Sequence, residues 1–293
     1  EVTLRVWGPA SAPSFRSWAA KQPNLIMRPG PIESSGWNIK PTILSTCLSE
    51  GAAEAIWIDA DVIVARDFRE RVRGIEPTAL IATEEPHMVP EKHGSVLRTK
   101  GLGLEVGRAL PVTINSCFLR VTPSHMALLD HWRRVLESSD YAVAQTTTFL
   151  DRPLWFGSDQ DVLTGLLGAR EHADLPLIQL RRGKDVAHCL HTLGYTTSER
   201  LSNAFFGLGP LLVHTQGVKP WSLPQPISTE LSPYNVFARD LESEVEEELE
   251  WARPRTRVAR VLDGIFRGNA HLRGLPLTLA RELQWHVWEG RRA

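Results

Sequence analysis

Ile56-Trp57-Ile58-Asp59-Ala60-Asp61-Val62-Ile63-Val64 is an apolar, β-branched run that carries two carboxylates one residue apart. An apolar run this short between turn-forming residues reads as a buried strand, so Ala55 to Val64 is expected to form the third strand of the chain. In open α/β sheets, ligands bind at the carboxyl ends of strands. Two acids at such a lip repel each other and are costly to desolvate, and a divalent cation is the simplest account of their presence. Oxygen ligation there suits Mg2+ or Mn2+. The alternative at this point is a solvated Asp-x-Asp that only begins a loop.

Outward from this strand, short β-branched runs alternate with amphipathic stretches, the pattern that βαβ crossovers require. Toward the N-terminus, Val2 to Val6 and Asn24 to Met27 read as strands, and Ser14 to Lys21 and Pro41 to Leu48 as helices. Toward the C-terminus, strands are expected at Thr78 to Thr83, Thr113 to Val121, Leu177 to Leu180 and Leu211 to Val213, with helices at Pro123 to Leu136 and Asp159 to Leu167. The fold class is therefore α/β, with a Rossmann-like, mostly parallel central sheet flanked by helices. The polar, glycine-containing stretch His87 to Lys100 is long enough for a lid over a ligand, which Arg98 or Lys100 would reach from it.

With 293 residues, the chain has room for one large core and an appendage. The composition divides it at residues 1–238 and 239–293. Asp240, Glu242, Glu244, Glu246, Glu247, Glu248 and Glu250 form an acidic run, after which nine arginines face only Asp263, Glu282 and Glu289. Val258, Val261, Leu262, Ile265 and Phe266 recur at helical spacing beside Arg257, Arg260 and Arg267, and Gly268 would end that helix. Leu279, Leu283, Val287 and Trp288 form a second stripe. Such helices would pack on the catalytic domain, form a homodimer, or lie on an anionic membrane with Trp285 and Trp288.

A net charge of −1 offers no global positive field for a nucleic-acid partner. Cys47, Cys117 and Cys189 are too few and too scattered for a disulfide framework or a close-spaced zinc motif, and read as reduced thiols of a cytoplasmic protein. No apolar run approaches the ~20 residues needed to span a bilayer. Glu1 to Trp7 reads as a strand with no signal peptide ahead of it.

Two further segments bear chemistry. Asp159-Gln160-Asp161 opens a helix after Ser158, where the serine would cap and the acids would face the positive end of the helix dipole. His214-Thr215-Gln216-Gly217-Val218-Lys219-Pro220-Trp221 follows an apolar run and combines a metal-binding imidazole, a glycine that permits close backbone approach and a lysine suited to phosphate.

In this order, with Asn115 in Ile114-Asn115-Ser116-Cys117 between them, these segments resemble family 8 of the glycosyltransferases, retaining nucleotide-sugar enzymes of GT-A fold. The resemblance covers about two-thirds of the chain, and its most specific piece is the closing His-x-x-Gly-x-Lys-Pro-Trp pattern. It implies that Asp59, Asp61 and His214 hold Mn2+ (or Mg2+), which bridges the diphosphate of a UDP-sugar donor. Gly217 and Lys219 would approach the same diphosphate, and Lys40 would be a further basic residue on the cofactor side. Asn115, Asp159 and Gln160 would line the donor sugar, with Asp159 or Gln160 beneath the ring, where Gln160 gives electrostatic support. Cys117 stands where the family has glycine, which implies a differently shaped sugar pocket.

Two other readings use the same residues. An apolar strand that runs into Asp59-Ala60-Asp61 also resembles the first motif of haloacid-dehalogenase-like phosphatases, with Asp59 as nucleophile and Asp61 as acid, although that motif sits on the first strand of its family. A protein that binds sugar nucleotides without turnover is the other. The remaining histidines, His188 among them, show no ligand pattern and read as packing or surface residues.

Overall fold

The computed structural model describes residues 3–8, 13–29, 36–85, 92–189, 194–207, 209–217, 219, 221, 230–240, 256–266 and 269–289 of the chain. The acidic run 241–250, Gly268 and His87 lie outside them. The strands are β1 (Leu4–Gly8), β2 (Leu25–Pro29), β3 (Ala55–Ile58), β4 (Val62–Val64), β5 (Leu80–Glu84), β6 (Ile114–Val121), β7 (Leu177–Leu180), β8 (Val186–Cys189) and β9 (Leu212–Thr215). The helices before the Asp159 segment are α1 (Pro13–Ala19), α2 (Lys40–Ser49), α3 (Arg69–Val72), α4 (Val96–Gly101), α5 (Met126–Leu136) and α6 (Ser139–Gln145). They are followed by α7 (Asp159–Gly168), α8 (Thr197–Phe205), α9 (Pro233–Asp240), α10 (Arg257–Ile265), α11 (Ala270–Arg273) and α12 (Leu275–Glu289).

The expected strand Ala55 to Val64 is broken at its acids. Ahead of Asp59, β3 pairs antiparallel with β6; beyond Asp61, β4 pairs antiparallel with β9. The Asp59-Ala60-Asp61 turn therefore crosses from a four-stranded sheet, β3-β6-β5-β7, to a three-stranded one, β4-β9-β8. The physical reason is that a continuous strand would hold both carboxylates in ladder positions. The turn instead brings them to the seam, where Val62 N bonds Asp59 O at 3.1 Å. The architecture is mixed α/β with parallel strands in its sheets. Parallel ladders (β1/β2, β5/β7, β8/β9) alternate with antiparallel ones at β3/β6, β5/β6 and β4/β9, so the central sheet is mixed where a mostly parallel one was expected.

β6 is buried along all eight residues, as a strand covered on both faces must be. One face packs Leu119 and Val121 against Leu44 and Leu48 of α2, Leu128, Leu129 and Trp132 of α5, and Leu163, Leu166 and Leu167 of α7. The other face places Cys117 and Phe118 in a second cluster with Val72, Ile81, Leu180, Val186 and Leu212.

The stretch expected to act as a lid is, from Val96 onward, the helix α4 packed on α7. Arg98 does not reach toward a ligand. It is fully buried, with its guanidinium 2.7 Å from Asp161 and bonded to the carbonyls of Lys92 and Gly94. Ser158 also departs from expectation: it sits at the N-cap of α7 but makes no capping bond, its hydroxyl donating instead to Asp161 Oδ2 at 2.8 Å.

The C-terminal helices dock on α8 and α9. The buried Arg200 of α8 reaches Thr278 Oγ1 at 2.8 Å and His271 O at 2.9 Å, Arg239 pairs with Asp263 at 2.8 Å, and Thr256 bonds Glu230. The apolar stripe of α10 divides in consequence. Leu262 and Phe266 are half-buried, whereas Val258, Val261 and Ile265 are 54%, 51% and 65% exposed. No described helix is long and apolar enough to cross a membrane.

Candidate functional site

Three chain segments meet at the seam between the sheets. The β4/β9 register sets Val62 opposite His214, so a histidine more than 150 positions away in the chain arrives beside Asp61, and Thr215 N bonds Asp61 O at 3.2 Å. The β3/β6 register sets Ile58 opposite Phe118, and Asp59 N bonds Cys117 O at 2.9 Å. α7 then hangs from the core by Trp132 Nε1, which donates to the Asp159 carbonyl at 2.9 Å.

Asp59, Asp61 and His214 each offer a ligand atom, and these lie within 4.8 Å of one another. His214 Nε2 stands 3.5 Å from Asp61 Oδ1, while the ammonium of Lys219 is ion-paired to Asp61 Oδ2 and donates to Thr215 O at 3.1 Å. Gly217, at φ 70°, makes the left-handed turn that returns the chain to bring Lys219 back over Asp61. Burial pushes the Asp61 carboxyl up, but His214 and Lys219 outweigh it and hold it at about 2. For His214 burial acts downward, and Cys117 and Asp61 outweigh it to raise the imidazole to about 10.

The sign of each shift fixes where this pair supports the metal-free fold. The raised histidine contributes fully below its ordinary 6.5 and loses that contribution as pH rises through about 10. The depressed carboxyl contributes fully above 3.8 and loses it as pH falls through about 2. Both contributions are complete between 3.8 and 6.5.

Behind Asp59 lies a second polar cluster. Lys40, the first residue of α2, is 3% exposed; its Nζ is 3.1 Å from Asp59, 2.8 Å from Ser116 Oγ and 3.3 Å from Asp159 Oδ2. With Ser116 O at 3.4 Å as a further acceptor, the ammonium is surrounded by oxygens, and in this structure Lys40 orients carboxylates. Trp57 Nε1 holds the other Asp59 oxygen at 2.6 Å, and Ser116 Oγ donates to Asp159 at 2.7 Å. Burial lowers the Lys40 ammonium, but Asp159 and then Asp59 outweigh it and raise it above its ordinary value. Burial pushes the Asp159 carboxyl up against the pull of Lys40 and Ser116.

Asn115 does not present a free amide. Its Nδ2 donates to Glu85 and its Oδ1 accepts from Cys117 N at 2.9 Å, while Gln216 Nε2 also donates to Glu85 at 3.1 Å. Burial raises the Glu85 carboxyl. Gln160, on the first turn of α7, is half-buried, and its carbonyl accepts from Thr164 Oγ1 at 2.8 Å. The sequence reading missed Ser116, Glu85, Trp57 and His188. Of these, Trp57 alone carried a local signal, since it lies two residues before Asp59, the spacing that places side chains on one side of an extended chain.

The chain matches no protein-family model and no curated protein. Among solved structures it is similar to a glycosyltransferase involved in the glycosylation of the major capsid of PBCV-1. That similarity covers 75% of this chain and 95% of the other, at 10% identity and a TM-score of 0.42. A likeness at that level establishes neither a shared activity nor a shared family.

Proposed function

We propose that the protein is a metal-dependent glycosyltransferase that moves a sugar from a UDP-sugar to an acceptor with retention of anomeric configuration. One observation carries this reading: two carboxylates and an imidazole from distant segments converge within 4.8 Å, with the ammonium of Lys219 against one of them. The donor set fits a divalent ion. Two aspartates and one histidine give hard oxygen ligands with one borderline nitrogen, which suits Mn2+ or Mg2+. The Asp61 carboxylate is already satisfied by two cationic groups, the kind of charge that a metal ion would replace.

When bound, the ion would act as a Lewis acid on the donor diphosphate. The chain's own groups would complete the site. Lys219, released from Asp61, would set a second positive charge against the departing diphosphate oxygen, where negative charge grows as the anomeric bond breaks. Gly217 would allow the backbone to approach the diphosphate closely. Asp159, oriented by Lys40 and Ser116, and Gln160 would lie on the sugar side, with Gln160 supporting charge and not attacking, since an amide is a poor nucleophile. A diphosphate needs no protonation to leave, so this site needs no acid of the kind that paired-carboxylate glycoside hydrolases use.

The test is a thermal-shift panel of nucleotide-sugars with and without Mn2+, followed by measurement of nucleotide release. Saturation at about 100 Kd stabilises the folded state by about 2.7 kcal/mol, which for a chain of this size is a rise of about 5 °C. A UDP-sugar is expected to give that rise only with Mn2+. Inorganic phosphate release from phosphomonoesters with no response to any nucleotide-sugar would instead establish the phosphatase reading of Asp59 and Asp61. A full shift without turnover on any acceptor would establish a binding protein.

The exposed face of α10 adds an acceptor location to this proposal. Val258, Val261 and Ile265 project beside the exposed Arg257 and Arg260, and Leu279 and Leu283 of α12 beside Arg281. Aliphatic side chains interleaved with arginines match an anionic lipid surface in both polarity and charge, which would bring the site to a lipid-linked or envelope acceptor. Sedimentation with vesicles containing anionic lipid is expected for the full chain and lost in Val261→Glu/Ile265→Glu. Equal sedimentation of both proteins, or a dimer dissolved by the same substitutions, would remove the membrane role.

A further inference from the structure

Behind the Asp59 and Asp61 carboxylates, the structure contains a second group of metal-ligating side chains. β8 pairs parallel with β9 in a register that sets His188 beside His214, with their rings 5.1 Å apart and steeply inclined. His188 Nδ1 and His214 Nδ1 are 2.9 Å apart. Cys117 of β6 completes the group, its ligand atom lying within 4.8 Å of those of the two imidazoles. All three side chains are buried, and Thr83 Oγ1 is 3.5 Å from the thiol. The donors here are one sulfur and two nitrogens.

His214 has two faces. Nε2 looks toward Asp61, and Nδ1 looks toward His188. The nitrogen that would serve the front ion is thus distinct from the one that belongs to the rear group. His188 uses Nδ1 on this contact, and its Nε2 is buried.

We propose that Cys117, His188 and His214 form a second cation site, selective for a soft divalent ion such as Zn2+, that shares the His214 imidazole with the Asp59 and Asp61 site. Thiolate and imidazole ligands favour Zn2+ over the hard ions that carboxylates take. Three protein ligands leave the fourth tetrahedral position open. Binding displaces the hydrogen held between the two Nδ1 atoms and takes the sulfur as thiolate, so the site gains a dication and sheds to the buffer whatever protons these ligands carried. The rear ion then fixes the ring of His214 and repels a second dication across it. Its occupancy therefore weakens the front site. The rear site stands on its own geometry; only this coupling rests on the proposed function.

Cd2+, a thiophilic substitute for Zn2+, reads the rear site directly, because a Cd2+–thiolate bond absorbs in the ultraviolet where Mn2+ and carboxylates give no such band. In the full chain without Mn2+, the band is expected to rise and saturate at one equivalent. It should vanish in Cys117→Ser, survive in Asp59→Asn, and require about tenfold or more Cd2+ in His188→Ala. Cys47 and Cys189 remain in Cys117→Ser, so a band persisting there overturns the proposal, as does a band unaffected by His188→Ala. If a substituted chain fails to fold, the unmodified chain decides: it must hold one equivalent of Zn2+ against a chromogenic chelator, and failure to do so overturns the site. The coupling is read by paramagnetic resonance of free Mn2+, with one equivalent of Zn2+ weakening Mn2+ binding about fivefold or more, and Cys117→Ser abolishing the effect. If Cd2+ binds as described and Mn2+ does not bind at all, the rear site stands and the proposed function fails.

Discussion

Asp61→Asn is expected to lower Mn2+-dependent sugar transfer by about 10²- to 10³-fold, the loss typical when one preorganised electrostatic group is removed from a reacting site. The substitution preserves shape and removes one charge. Asp61 is the better probe of the two aspartates because its partners can relax. Lys219, 35% exposed, can turn to water, and His214 keeps its contact with His188. The cost to the fold is therefore modest, about 1–3 kcal/mol for an unsatisfied buried group. Asp59→Asn would also loosen Lys40 and Trp57, and so confound folding with function. The measurement is nucleotide release as a function of Mn2+ concentration, with melting temperature as the control. A folded Asp61→Asn enzyme with unchanged turnover and Mn2+ affinity would remove the metal from the mechanism. Raising the pH should strengthen Mn2+ binding to the unmodified chain, because a proton held by His214 up to about 10 must leave before the nitrogen can act as a ligand.

The sequence displays the parts of this site more clearly than their arrangement. Asp59, Asp61, Asp159 and the His214 to Lys219 segment are legible because each stands where an apolar run gives way to polar residues, which marks the end of a buried element. What joins them is register, and register is a relation between strands that no single strand encodes. His188 reads as a packing residue from its own neighbours, Ala187 and Cys189. Only the parallel pairing of β8 with β9 sets it against His214. The break after Ile58 was likewise hidden, since the apolar pattern resumes at Val62 as though one strand continued. Arg98 reads as a lid cation because it lies in the long polar, glycine-containing stretch His87 to Lys100, whereas its partner Asp161 is 63 positions away. α8 was missed although its signal was present: Thr196 and Glu199 form a reciprocal capping box, the spacing that announces a helix start.

Lys40→Met tests the other half of the site, and its expected effect is on the fold. Lys40 opens α2, where the positive end of the helix dipole opposes a cation. It remains there, almost fully buried, because Asp59 and Asp159 converge on it. Removing the cation leaves the buried Asp159 carboxylate unpaired beside the partly exposed Asp59, and breaking a buried pair in this way costs about 3–5 kcal/mol. For a chain of this size that is a fall of about 5–8 °C in melting temperature at neutral pH. The pH dependence identifies the cause. Burial already raises the Asp159 carboxyl, and without Lys40 it must rise further. A carboxyl raised in the folded state stabilises the fold fully below its unfolded value, and that contribution is lost as pH rises through the folded value. The deficit of Lys40→Met should therefore shrink as the pH is lowered from about 7 to about 5, where the variant can protonate Asp159 and the unmodified chain has no need to. Lys40→Met/Asp159→Asn should recover much of the loss at neutral pH, since the second change removes the charge that the first left unpaired. A deficit independent of pH and untouched by Asp159→Asn would mean that Lys40 supports α2 by packing alone, and that Asp59 owes its orientation to Trp57.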